Sequence, residues 1–257
     1  MSATRQEVQL LQASIDSNTV SDFRVLVNGK SIKYIKIDPG IYDDDDMGSG
    51  PIFPTLIPPL PSGEWNVATI SKDEKNNGEA YFASASKVDL PCIQSLWHPL
   101  RIEYLDLSIG QKIEGRLYEA TCPNHFGDSS VILKFARFGW QIPCVQAPPR
   151  FLGHILEEGR AIGFILERIT DARHAGVEDL DLCQAALSKL HSLGFKHGDV
   201  NKHNFLVRNG KTLMIDFESL QKCDDQAELV KEMEKLKESL ADTSGIGGVG
   251  PATDRFQ

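Results

Sequence analysis

Within the stretch from His197 to Glu218, HGDVNKHNFLVRNGKTLMIDFE, three side chains have the types and spacing for metal-assisted group transfer. Asp199 and Asn204 are separated by four residues, and Asp216 follows Asp199 by 17. A loop placed after a helix can point a carboxylate at a hydroxyl nucleophile. An amide on that loop, with a second carboxylate carried in by a hairpin, offers oxygen ligands to a divalent cation. Such a cation offsets the charge of a nucleotide polyphosphate, and phosphoryl transfer is mostly positioning and electrostatic stabilisation. The competing reading is that HGD and IDFE are ordinary loop and strand ends.

The elements that must position these groups follow from periodicity. Asp179 is placed to cap a helix running to about Leu193. Leu180, Cys183, Leu187 and Leu190 recur on it at helical spacing, and Gly194 is its natural stop. FLVR and KTLMI flank Asn209-Gly210, the pattern of a tight hairpin. A further helix is expected near 224–240, with Leu229, Met233, Leu236 and Leu240 on one stripe. From Arg101 onward, EYLDLSI, GRLYEATC, SSVILKFARF, FLGHILEE and GRAIGFILERI read as five strands with short connections. The fold class is therefore α+β. A small antiparallel five-stranded sheet lobe is expected over 101–170, a reduced helical lobe over 171–240 and a loose tail over 241–257.

Residues 1–100 read as a β-rich extension without evident chemistry. Residues 1–20 are polar and are expected to form an exposed, partly helical lead. A hairpin from Phe23 to Ile37 turns at Asn28-Gly29, and a second spans 65–85 around DEKNNGE. Residues 38–63 hold Asp43 to Asp46 and six prolines, and are read as a loop or linker. The aspartate run reads as solvated charge before it reads as a metal site.

The 257 residues include 27 Lys plus Arg against 36 Asp plus Glu, a net charge of −9. That balance argues against a protein built to coat nucleic acid, and still allows an anionic nucleotide in a local pocket. No window of about 18 residues is free of charge, so no membrane partner is expected. The start, MSATRQEVQL, lacks the apolar core of a secretory signal. Five cysteines, with no pair at metal-knuckle spacing, suit a reducing compartment: cytoplasmic, with the nucleus not excluded. The seven histidines show no zinc pattern. Gly245, Gly247 and Gly250 satisfy GxGxxG, but no strand precedes them and Pro251 follows, so no dinucleotide site is expected.

HGDVNKHN is similar to the catalytic loop of the protein-kinase-like superfamily, and IDFE resembles its DFG metal-binding segment. Gly198 in place of arginine, and Glu218 in place of the DFG glycine, resemble the aminoglycoside-phosphotransferase and lipopolysaccharide-kinase branches. HGDVNKHNFLV, with GFILERI and DARHAG upstream, also resembles a group of fungal kinase-like proteins. The resemblance implies a two-lobed fold with ATP in the cleft, Asp199 as catalytic base, and Asn204 and Asp216 as Mg2+ ligands. It implies that Lys134, in the alternating strand SVILKFA, pairs with the α- and β-phosphates. An outward-facing strand lysine is the alternative. Ile109 to Ala120 aligns with the glycine-rich loop: Gly110 and Gly115 match the first and third glycines, and Lys112 stands at the middle one. Phe164 to Ile169 resembles the strand and hinge that hold adenine, with backbone groups from Glu167 to Ile169 as partners. A plain buried strand is the alternative there.

Two departures qualify the resemblance. Active kinase folds carry a glutamate on a helix after the strand lysine. Between Lys134 and Phe151, FARFGWQIPCVQAPPR contains three prolines and no Glu or Asp. Either the sequence is a shortened gene model or splice form, or another acid substitutes; Asp216 itself is a candidate to contact Lys134. After Glu218 no APE-like segment or full helical lobe follows, which points to a small-molecule hydroxyl or a short tail as acceptor, more than to a docked protein. Two functions follow. One is an ATP- and Mg2+-dependent phosphotransferase. The other is a pseudokinase-like nucleotide-binding or scaffold module, motivated by the missing glutamate and by Lys112.

Overall fold

In a computed structural model the structure describes residues 6–74, 76–138, 141 and 151–242. The chain divides into two compact units: Met1–Pro91 with Glu157–Arg160, and Cys92–Leu156 with Ala161–Gln257.

The first unit is a sheet in the order β1 (Val8–Ser14), β2 (Ser21–Val27), β3 (Ser31–Ile37), β4 (Val67–Asp73), β5 (Glu79–Ser86). Neighbours are antiparallel except β3 and β4, which are parallel. Between these two lie the short helices α1 (Asp44–Gly48) and α2 (Phe53–Leu56). Both expected hairpins form, and Asn28 and Gly29 take the positive φ their turn requires.

Two expectations are corrected here. The lead read as partly helical holds strand β1, whose alternation is broken by a bulge between Leu10 and Gln12. The bulge hides the period-2 signal while leaving Val8, Leu10 and Ala13 against the core. The segment read as a linker instead closes that core: Met47, Phe53 and Ile57 are buried, and Phe53 stacks on Phe23 at 4.7 Å. The acidic run has a local use. Asp43 caps α1 by accepting the Asp45 N–H, and the next three aspartates fill the first turn, where the helix dipole favours negative charge.

A buried charge cluster centred on Glu157 lies deep in this unit. Glu157 accepts Arg24 Nε and Nη2 at 2.7 and 2.5 Å on one oxygen. Its other oxygen accepts the Tyr34 hydroxyl at 2.6 Å and Arg160 Nη2 at 2.8 Å. Burial pushes the carboxyl up, but Arg24 and Arg160 outweigh it and hold Glu157 below the usual carboxylate range.

The second unit opens with β6 (Arg101–Glu103), β7 (Ser108–Glu114), β8 (Leu117–Thr121), α3 (Pro123–Phe126), β9 (Ser130–Phe135), β10 (Phe151–Glu157) and β11 (Arg160–Glu167). Its sheet runs β6-β10-β11-β9-β8-β7. It has six strands where five antiparallel ones were expected, because β6 adds parallel to β10. EYLDLSI, read as one strand, is a 3-10 turn at Tyr104–Asp106 followed by the start of β7. Leu133, Phe135, Ile155, Ile162 and Ile165 form the centre of the sheet's core.

Next come β12 (Arg173–His174), α4 (Leu180–Ser192), β13 (Phe195–Lys196), β14 (Phe205–Arg208), β15 (Lys211–Met214), β16 (Gln221–Lys222) and α5 (Gln226–Ala241). Cys183, Leu187 and Leu190 of α4 meet Leu236 and Leu240 of α5 in a separate core around Phe205. Arg208 pairs with Lys211 across Asn209-Gly210, both at positive φ, as the sequence predicts. Asp179 is the N-cap residue of α4, as expected, but its side chain bonds no N–H of the helix. It takes the Arg173 fork at 2.6 and 2.9 Å and the Gly176 N–H at 2.9 Å.

Most of the segment where no helix was expected, Cys144, and the tail with Gly245, Gly247 and Gly250 lie outside the described residues. Among the described residues, Cys92, Cys122, Cys183 and Cys223 are free thiols, and no helix is long and apolar enough to cross a membrane.

Candidate active site

All four residues singled out for chemistry lie in the second unit, and backbone anchoring explains their placement. His197 is fully buried. Its Nε2 lies 3.0 Å from the Ile215 carbonyl, which can only accept, so Nε2 carries the proton. Its ring lies 5.0 Å from that of Phe217. Glu232 of α5 accepts the backbone N–H groups of His197 at 3.0 Å and Gly198 at 2.6 Å, and lies 2.8 Å from His191 Nε2. Gly198 has φ +82, and a β-carbon there would overlap the Ser219 carbonyl oxygen. This explains glycine at that position: the loop lies directly on the segment after Asp216.

From this anchored start the loop delivers Asp199 and Asn204. Asn201 accepts the His203 N–H at 2.9 Å and donates to Asp199 Oδ1 at 3.2 Å. Asn204 is buried, and its amide nitrogen donates to the Asp199 carbonyl at 2.9 Å and to Asp199 Oδ2 at 3.1 Å. The Asp199 carboxylate is thus held at both oxygens. The Asn204 carbonyl accepts the Ile215 N–H at 2.9 Å, so the ladder places Asp216 one residue further on. Asp216 takes the left-handed conformation, φ 57, which costs a non-glycine residue about 1–2 kcal/mol. Such conformations cluster at functional sites.

Lys134 is 8% exposed, so it is not an outward strand lysine. It lies on β9 opposite Leu117 and Phe164. Its Nζ is 3.4 Å from Asp216 Oδ1 and 2.8 Å from Glu218 Oε1. Arg116, in the β7–β8 turn beside Gly115, reaches the same Glu218 oxygen at 3.0 Å. These bonds join Lys134 to Asp216, Asn204 to Asp199, and the two pairs through the hairpin. Gly110 and Gly115 lie on β7 and its turn, while Glu167 ends β11 and Ile169 follows it. Arg168 fastens that last segment to β8 and β9 through Glu119 at 2.5 Å and Ser130 at 2.9 Å.

A cavity of about 420 Å³ opens beside Asp199, walled by Asn201, Lys202, Lys235, Glu238 and Asp242 among others. A wider one of about 520 Å³ near Asn209 and Gly210 holds none of the four. Among the described residues no three His, Cys, Asp or Glu side chains cluster as a metal cage. Mg2+ does not require one: it binds through one or two carboxylates, with waters and substrate phosphates completing an oxygen shell. Asp216 and Asn204, whose amide nitrogen is turned to Asp199, fit that pattern.

Sequence reasoning missed Glu218 as a lysine partner, Arg116, and Glu232. Only Glu232 left a signal: it lies three residues past Leu229 and beside Met233, a carboxylate on an apolar stripe.

Residues 173–247, from β12 through α5, match the family model of the lipopolysaccharide kinase (Kdo/WaaP) family. No curated protein matches the chain. Among solved structures, a kinase of Cydia pomonella granulovirus, PK-1, is similar at 14% identity and a TM-score of 0.32, over 46% of this chain. The match spans 55% of that kinase's length.

Proposed function

We propose that this chain, a member of the protein-kinase-like superfamily through residues 173–247, is a phosphotransferase that moves the γ-phosphoryl group of ATP to a hydroxyl. The observation that carries the reading is the meeting of Lys134 with Asp216, which the Ile215–Asn204 backbone bond ties to the amide-held Asp199. Asp199 accepts the proton of the attacking hydroxyl, and Asn201 and Asn204 fix its two oxygens for that task. Lys134, desolvated on β9, presents its ammonium to the α- and β-phosphates. Gly110 and Gly115 frame the hairpin above the phosphates, and the backbone from Glu167 to Ile169 receives the adenine. Asp216 and Asn204 would hold Mg2+, which when bound offsets the polyphosphate charge. The cavity beside Asp199 favours a small-molecule acceptor over a docked protein. A nucleotide-binding module without transfer is the second reading; Lys112, where the phosphate loop wants glycine, favours it.

Thermal unfolding with ATP and Mg2+ is the first measurement, since a ligand bound only by the native state raises the midpoint. Asp199→Ala is expected to keep that rise while transfer falls by about 10²–10⁴. Asp216→Ala is expected to remove its dependence on Mg2+. A rise without transfer to any hydroxyl in a broad panel selects the binding module. No rise in the wild type overturns both readings.

A further inference from the structure

We infer that Glu218 is the positioning residue that holds Lys134 on the nucleotide, the task kinase folds otherwise give to a helix glutamate. The inference rests on the phosphotransferase reading and adds a residue that reading does not use. Lys134 has little access to water, so its ammonium needs a fixed counter-charge. Among the described residues its carboxylate partners are Asp216 at 3.4 Å and Glu218 at 2.8 Å. Asp216 is the poorer choice for a permanent partner, because its oxygens are the ones the cation needs. Glu218 is the nearer acid and has no such second duty.

Its position is well fixed. Glu218 sits in the 3-10 turn Phe217–Ser219, directly after Asp216. Phe217 packs on buried His197 on one side of it, and the Ser219 carbonyl closes on Gly198 on the other. Arg116 adds a second cation at 3.0 Å and ties the acid to the β7–β8 turn, and its other amino group donates to the Gln141 carbonyl at 3.0 Å. One short turn therefore places both the cation ligand and the lysine's brace. The brace does not depend on any helix between β9 and β10.

The sign of one substitution separates this from a bystander acid. A carboxylate beside a polyphosphate repels it, so removing a bystander's charge tightens ATP binding. Removing a brace loosens it. Glu218→Gln keeps the shape of a side chain that is 35% exposed, so folding is expected to survive. Calorimetric titration with Mg-ATP is expected to show about tenfold weaker binding for Glu218→Gln, equivalent to about 1.4 kcal/mol. Glu218→Asp is expected to fall between the two. In a Lys134→Met background, Glu218→Gln is expected to cause no further loss of affinity, because the brace has nothing left to hold. Equal or tighter binding by Glu218→Gln, or additive losses in the double variant, overturns the inference while leaving the phosphotransferase reading intact. Wild-type protein that binds no Mg-ATP overturns that reading itself. The pairing is then read on ligand-free protein by acetic anhydride labelling of Lys134: faster labelling in Glu218→Gln supports the brace, and an unchanged rate overturns it.

Discussion

The peptide of Ser219 seats against the α-carbon of Gly198 so closely that its carbonyl oxygen occupies the space of a β-carbon. Gly198 belongs to the loop that carries Asp199, and Ser219 to the turn that follows Asp216. The two acids are thus held in register by backbone contact rather than by side chains alone. Gly198→Ala meets two obstacles at once: the residue sits at φ +82, and its new methyl strikes a carbonyl. The left-handed backbone alone costs about 1–2 kcal/mol. Urea unfolding is expected to show at least that loss. Turnover is expected to fall further than nucleotide affinity, since the loop must shift away from the turn.

Glu232 anchors the other side of the same loop. Its oxygens accept two consecutive backbone N–H groups at 3.0 and 2.6 Å inside the core. Glu232→Ala leaves both donors without their acceptor, and each buried unsatisfied group costs about 1–3 kcal/mol. Denaturant unfolding is expected to show a loss in that range or above it. Glu232→Gln keeps one acceptor and is expected to lose less. In folded Glu232→Gln, kcat is expected to fall with KM for ATP little changed, because on the proposed reading the loop carries the base and not the nucleotide.

These two anchors differ in how far the sequence exposes them. The hairpins at Asn28-Gly29 and Asn209-Gly210 are legible because two local residues dictate the turn. Asp199, Asn204 and Asp216 are legible because one loop and one hairpin set their spacing. For Lys134, Asp216 is readable as a candidate partner, but Glu218 is not, since it lies further along the chain than Asp216, itself 82 residues away. Pairing at that range depends on how β9 meets the turn that follows β15, which no local pattern encodes. Strand β1 is hidden by its bulge. The segment 38–63 is hidden by prolines and aspartates that suggest a linker, although Phe53 is as buried as any described residue.

In the first unit, Glu157 carries a pH dependence with a definite sign. Burial raises its pKa, Arg24 and Arg160 lower it more, and the result lies below the usual carboxylate range. The ionised group therefore contributes its full stabilisation above the unfolded value of about 4.3. That contribution is lost as pH falls through the lower folded value. Removing one partner of a buried ion pair costs about 3–5 kcal/mol. Glu157→Gln is expected to lose stability of that order at pH 7 in urea titrations. The gap between variant and wild type is expected to shrink below pH 4 and to close once wild-type Glu157 is itself protonated. A gap of constant size across that range would show that shape, not charge, makes the contribution.

The cysteines report on the core beneath the loop that carries Asp199. Cys183 is fully buried on α4, and burial pushes its thiol up to about 11. Burial likewise raises Cys122. Cys92 and Cys223 are partly exposed. Alkylation needs the thiolate and access to it. At pH 8, iodoacetamide followed by mass spectrometry is expected, among the four described cysteines, to modify Cys92 and Cys223 first, and Cys183 only through opening of the α4–α5 core. Because nucleotide bound to the native state suppresses such opening, Mg-ATP is expected to slow Cys183 labelling while leaving Cys92 unaffected. Cys183 labelling as fast as that of Cys223 would mean that α4 does not pack as described, and the anchoring of the loop by Glu232 would fall with it.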